Sequence, residues 1–151
     1  MRVHRTALLL FLLFLVHVNG ACAQVVVIVN GNNPVTHLSR SQLIDLYMGR
    51  RLNFPGGAPA LPLDQASGSP LRQRFYQALV GKSEAKVNAY WARLLFSGIT
   101  SPPRVLPTVA ATMQVVRENT AAIAYVDATD ATEGVERKQI KIVFSFATDN
   151  R

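Results

Sequence analysis

Strongly apolar, β-branched runs alternating with amphipathic helical stretches predict an α/β domain with a central, mostly parallel sheet flanked by helices. Three observations carry this. Gln24-Val25-Val26-Val27-Ile28-Val29-Asn30 is an apolar run closed by an Asn-Gly pair, and Ala121-Ala122-Ile123-Ala124-Tyr125-Val126 is a second one. Neither alternates between apolar and polar, the pattern of strands covered on both faces as in parallel sheets. Between them, apolar residues recur at helical rather than strand spacing.

A turn at Gly31-Asn32-Asn33-Pro34 follows the first strand. Ser39 to Gln42 forms an S-x-x-Q capping box, and Leu43, Leu46 and Tyr47 share one face, so the sequence predicts a helix over 40–48 ended by Gly49. Residues 50–62 contain three prolines and two glycines and read as a loop leading into an extended segment near 60–64. Ser69 as N-cap with Pro70 at the first helical position opens a helix to about Val80, apolar at Leu71, Phe75, Ala78 and Leu79. From Ser83, Val87, Tyr90, Trp91, Leu94 and Leu95 repeat at helical spacing until Gly98, and this aromatic stripe reads as core. Thr108 caps a further helix of Val109, Met113 and Val116 ending near Asn119. Residues 139–146 read as a last strand, at a sheet edge with Lys141 facing water.

The N-terminus has the form of a secretory signal: basic Met1-Arg2-Val3-His4-Arg5, then ten unbroken apolar residues from Ala7 to Val16, then Ala21-Cys22-Ala23. The apolar run is shorter than the ~20 residues a bilayer span needs. The expectation is a signal peptide over 1–23, cleaved after Ala23, placing residues 24–151 in the periplasm as a single domain rather than an integral membrane protein. Lipid anchoring at Cys22 is the less favoured alternative, because Asn19 sits where a lipoprotein signal has a small apolar residue.

Cleavage removes Arg2 and Arg5, so 16 basic residues become 14 against 9 acidic, a formal charge of +5. It also removes Cys22, His4 and His17, leaving His37 and no thiol. That composition argues against a disulfide framework, a Cys nucleophile or a His/Cys metal site, and no cofactor is implied. The basic residues are scattered rather than clustered, which argues against nucleic acid as a partner. No catalytic constellation is evident: His37 reads as a surface residue and Asp127 as a strand end.

One segment has a binding mechanism written into it, Asp64-Gln65-Ala66-Ser67-Gly68-Ser69-Pro70-Leu71-Arg72. Free amides at a helix start carry partial positive charge, Gly68 lets an anion approach the backbone, Ser67 and Ser69 add hydroxyl donors, and Arg72 adds a forked cation. Arg72 and Arg74 stand two apart and cannot both face one anion. The same Ser-Gly-Ser-Pro is also what a plain helix cap looks like, so both readings stand on local sequence.

Asn33-Pro34-Val35, the helix Leu38-Ser39-Arg40-Ser41-Gln42-Leu43-Ile44-Asp45-Leu46-Tyr47-Met48-Gly49, the loop 64–69, Phe75 and the strand Thr120 to Val126 together resemble one lobe of the phosphate-binding proteins of ABC importers. That family carries a Leu-x-x-x-Gln-Leu helix ending in Phe-x-Gly, a Ser-Gly-Thr anion loop and an Ala-Ile-Gly-Tyr-Val strand. Tyr90 to Gly98 with Pro102-Pro103 is similar to short single-lobe secreted members.

The resemblance spans about residues 25–127 and implies a three-layer lobe of the type 2 periplasmic-binding-protein fold. It implies a solute-binding-like protein, not an enzyme, that takes phosphate or a phosphate-like anion at Ser67, Gly68, Ser69, Arg72 and Asp64, with an ABC permease or another envelope protein as partner. Two positions depart from the family: Leu63 stands where an Arg is usual, and Asp64 is one place off the loop acid. Two-lobed members close on ligand by hinge motion, so a single lobe implies an open site or a second chain. The alternative function is an envelope scaffold in which the loop serves only as a cap.

Overall fold

A computed structural model describes residues 23–147; the expected signal segment and Cys22 lie outside the described residues. Five strands, β1 (Val25–Asn30), β2 (Leu61–Gln65), β3 (Arg104–Leu106), β4 (Ala122–Asp127) and β5 (Ile140–Ser145), form one sheet in the order β3-β2-β4-β1-β5. Helices α1 (Arg40–Tyr47), α2 (Pro70–Val80), α3 (Glu84–Phe96), α4 (Val109–Glu118) and α5 (Ala128–Glu136) cover its two faces.

The sheet is mostly parallel in that β2, β3, β4 and β5 run one way. β1 runs against both its neighbours, pairing Val27 with Tyr125 and Val27 with Phe144 in antiparallel register. A continuous apolar run reports only that both faces are covered, not which way the neighbours run, so β1 matches the expected burial and departs from the expected pairing. Its alternate residues feed two cores. Val25, Val27 and Val29 join Ile123 and Tyr125 under α1, α2 and α3, while Val26 and Ile28 join Ala122, Ala124 and Val126 under α4 and α5. The result is a three-layer α/β lobe.

Local chemistry sets the helix ends. Ser39 Oγ accepts from the Gln42 amide at 3.2 Å and the Gln42 side chain accepts from the Ser39 amide at 2.7 Å, which completes the capping box of α1. α1 stops before Gly49, whose φ of +68° disfavours any side chain. A Cβ there would lie 2.7 Å from a Trp91 ring carbon and 2.9 Å from Thr100 Cγ2. Trp91 and Val87 are buried as the helical spacing predicts, and Tyr90 donates to the Met48 carbonyl at 2.7 Å. Leu95 does not join that stripe, being 53% exposed near the end of α3.

The sequence pattern marks neither α5 nor β3. α5 buries only Ala131 and Gly134, so it lacks large apolar residues at helical spacing. β3 is three residues long with two of them exposed. β5 is an edge strand as expected, but Lys141 is half-buried and donates to the Asn33 carbonyl instead of simply facing water. Among the described residues no helix is long and apolar enough to cross a membrane.

Candidate functional site

β2 delivers the segment 64–72 to the end of the sheet, and α2 begins there. Ser69 adopts an extended conformation and its Oγ accepts from the Arg72 amide at 3.4 Å, so this hydroxyl is committed to capping α2. Gly68 has φ +82°, a conformation open to glycine at little cost, with nothing within 4 Å of where a Cβ would stand. Ser67 and Gly68 are exposed, whereas Arg72 and Asp64 are buried.

Asp64 is the buried foundation. At 2% exposure its two oxygens accept four hydrogen bonds: Arg72 Nε at 3.1 Å and Tyr76 OH at 3.0 Å on Oδ2, and the Gln65 amide at 2.8 Å and Tyr125 OH on Oδ1. Burial and the negative charge of Asp64 push the Tyr76 and Tyr125 hydroxyls well above the usual phenol range, so both stay protonated donors. Phe75 stacks on Tyr125 with ring centroids 3.7 Å apart, and Tyr47 meets Phe75 edge-on at 4.7 Å, which fixes the rings that present these hydroxyls.

Arg72 is the hub. Its Nε meets Asp64, one terminal nitrogen donates to Glu84 Oε1 at 2.5 Å, and the other donates to Asn88 Oδ1 at 3.0 Å. Burial opposes its charge, but the charge and hydrogen bond of Asp64, followed by Tyr76 and Glu84, hold its pKa above the ordinary value. Its guanidinium lies 5.2 Å over the Tyr76 ring. Arg74 points elsewhere, as two-residue spacing on a helix requires, and makes a bidentate pair with Asp127 at 2.9 and 3.0 Å.

The outward side of the loop already holds an anionic group from the same chain. Glu84 Oε1, from the first residue of α3, accepts from Ser67 Oγ at 2.7 Å, from the Gly68 amide at 2.9 Å and from Arg72 at 2.5 Å. The Ser67 hydroxyl and the Gly68 amide hold this carboxyl below the usual carboxylate range; slight burial opposes them and Arg72 adds to them. The structure therefore brings Ser67, Gly68 and Arg72 onto one point, sets Ser69 as the cap beside them, and places Asp64 behind Arg72.

Glu84, Asn88, Tyr76 and Tyr125 are site residues that sequence reasoning missed. Their only local signal is an acid in a first helical turn, which any helix start favours. Among the described residues no group of three or more His, Cys, Asp or Glu side chains is placed to hold a metal ion. His37 is exposed, and Asp127, the last residue of β4, is engaged by Arg74.

No family model matches the chain, and no curated protein sequence matches it. Solved structures do. An ABC-type phosphate transport receptor from Vibrio cholerae aligns with a TM-score of 0.59 at 19% identity over 80% of this chain and 45% of its own. PstS from Borrelia burgdorferi aligns at 0.61 and 14% identity over 80% and 46%. A protein from Clostridium perfringens described as a phosphate ABC transporter substrate-binding protein, solved with bound phosphate, aligns at 0.56 and 19% identity over 84% and 56%. At these identities the likeness shows the fold, and the chain spans about half the length of the proteins it matches.

Proposed function

We propose that this lobe is a solute-binding-like module of the bacterial envelope that takes phosphate, or another tetrahedral oxyanion, at the start of α2. The observation that carries the reading is the convergence of a hydroxyl, a backbone amide and a buried guanidinium on a single carboxylate oxygen. Three donors on one oxygen are what an oxyanion needs, and two of them, Ser67 Oγ and the Gly68 amide, stand in the loop just before the N-cap Ser69, near a helix start whose partial charge favours a negative ligand. Ser67, Gly68 and Arg72 make direct contact in this reading. Ser69 fixes the turn and Asp64 positions Arg72.

The solved neighbours described by their phosphate transport role or bound phosphate support the choice of ligand. The role proposed is recognition rather than catalysis, in line with solved neighbours described as transport receptors and substrate-binding proteins. Periplasmic location rests on the signal-like N-terminus, and an ABC permease or another envelope protein is the partner such a location offers. The site uses the protein's own donors and requires no cofactor.

Isothermal titration with phosphate and with sulfate, against chloride at matched ionic strength, is the test. The expected result is saturable binding in the millimolar range, about 4 kcal/mol, weakened at least fivefold in Ser67→Ala. Absence of saturable heat up to ~10 mM anion, with Glu84 present or replaced, overturns the reading.

A further inference from the structure

We infer that Glu84 is an intramolecular ligand of the oxyanion seat, and that an external anion binds by exchanging with it. This rests on the proposed oxyanion reading and adds that a carboxylate of the chain itself competes for the three donors. The geometry separates Glu84 from an ordinary helix-start acid. Its carboxylate does not serve the cap of its own helix, for which Ser83 provides no side-chain hydrogen bond either. It crosses to the loop before α2, 17 residues away from Ser67 in sequence, and one oxygen takes all three donors.

The seat is a built one, because Arg72, 6% exposed, is held from behind by Asp64 and from the side by Asn88. Asn88 lies one turn beyond Glu84, so α3 offers Arg72 a charged and a neutral acceptor on one face. If the carboxylate leaves, Arg72 keeps two partners and Ser67 Oγ, the Gly68 amide and one guanidinium nitrogen turn to whatever anion arrives.

The link that carries Glu84 is open to solvent. Residues 81–83 between α2 and α3 are exposed, Gly81 has φ +65°, and Glu84 is the first residue after this link. Both the carboxylate and an oxyanion need the same donors, so they compete. The apparent affinity for an external anion is the intrinsic affinity reduced by the fraction of molecules in which Glu84 is out of the seat.

Glu84→Ala and Glu84→Gln, titrated with phosphate and sulfate by calorimetry and followed by thermal unfolding, test this. Glu118→Gln serves as a charge-matched control, since that acid is exposed and, among the described residues, accepts from Gln114 across one turn. The expected result is at least tenfold tighter phosphate binding in Glu84→Ala than in wild type. Glu84→Gln should fall between them, Glu118→Gln should match wild type, and phosphate should raise the melting temperature of the Glu84 variants more than that of wild type.

Adding Ser67→Ala to Glu84→Ala should weaken the gain. Equal affinities in wild type and both Glu84 variants would overturn the exchange while leaving the oxyanion site intact. Saturable binding in none of them would overturn the site itself. Should Glu84→Ala fail to fold, Glu84→Gln, which keeps the side chain's shape, decides between these outcomes.

Discussion

Replacing Asp64 by alanine tests the physical basis of the site most severely. This carboxylate is 2% exposed and satisfies Arg72 Nε, Tyr76 OH, Tyr125 OH and the Gln65 amide at once. Removing one partner of a buried ion pair costs about 3–5 kcal/mol, because the remaining charge is left desolvated. Arg72 keeps Glu84 and Asn88, which moderates that loss, but the buried Tyr76 hydroxyl is left without its acceptor at about 1–3 kcal/mol, and Tyr125 OH loses its acceptor while still accepting from the Gln65 amide at 3.2 Å. These terms share one cavity and do not add fully, so the expected cost is about 4–5 kcal/mol.

Against a total stability of about 5–15 kcal/mol, the variant sits near the edge of folding. Urea denaturation with matched m-values gives the number directly, and a thermal scan should fall by about 10–20 °C. Asp127→Asn is the contrast. That carboxylate also pairs with an arginine, but the two side chains are 21% and 30% exposed, and solvent screening holds the expected cost to about 1 kcal/mol. If Asp64→Ala costs less than about 1.5 kcal/mol, or no more than Asp127→Asn, then Asp64 is not the foundation described and the positioning of Arg72 needs another cause.

Gly49→Ala should destabilise by about 2–4 kcal/mol in chemical denaturation, while Gly81→Ala costs only about 1–2. Both positions have positive φ, but only Gly49 has Trp91 and Thr100 within 3 Å of the added carbon. Stability should also decline as pH rises above about 10. Burial holds Tyr47, Tyr76 and Tyr125 above their ordinary value in the fold, so their contribution is present below the unfolded value and lost as pH climbs toward the folded ones. Absorbance at the phenolate band should then rise together with loss of circular dichroism. Glu84 acts at the other end: its contribution is present above about pH 4.5 and lost as pH falls through its lowered folded value, a step that Glu84→Gln removes.

The parts of the fold visible in sequence are those with a local cause. Ser39 and Gln42 cap α1 by contacts three residues apart, Ser69 and Pro70 start α2, and Thr108 starts α4 through its bond to the Ala111 amide. The burial of β1 is visible for the same reason, since every residue in it is apolar up to Asn30. The direction of β1 is not, because pairing with β4 joins Val27 to Tyr125, far apart in sequence. α5 is hidden because it packs Gly134 close against Ile140, where a missing side chain rather than an apolar one makes the fit.

The site divides along the same line. Ser67, Gly68, Ser69 and Arg72 form one short segment whose chemistry reads directly from helix-start physics. The carboxylates that decide how this segment behaves come from its two sides: Asp64 turns inward under it, and Glu84 reaches over it from the next helix. Whether an aspartate faces ligand or core depends on which tyrosines fold against it, and Tyr76 and Tyr125 arrive from different elements.

The sharpest measurement of the central claim is the amide signal of Gly68 in a nitrogen–proton correlation spectrum as phosphate is added to wild type and to Glu84→Ala. The account predicts a saturable shift at Gly68, with the Arg72 Nε–H moving in step and at lower phosphate in the variant. A Gly68 signal that stays in place in both proteins while phosphate reaches ~10 mM would contradict it.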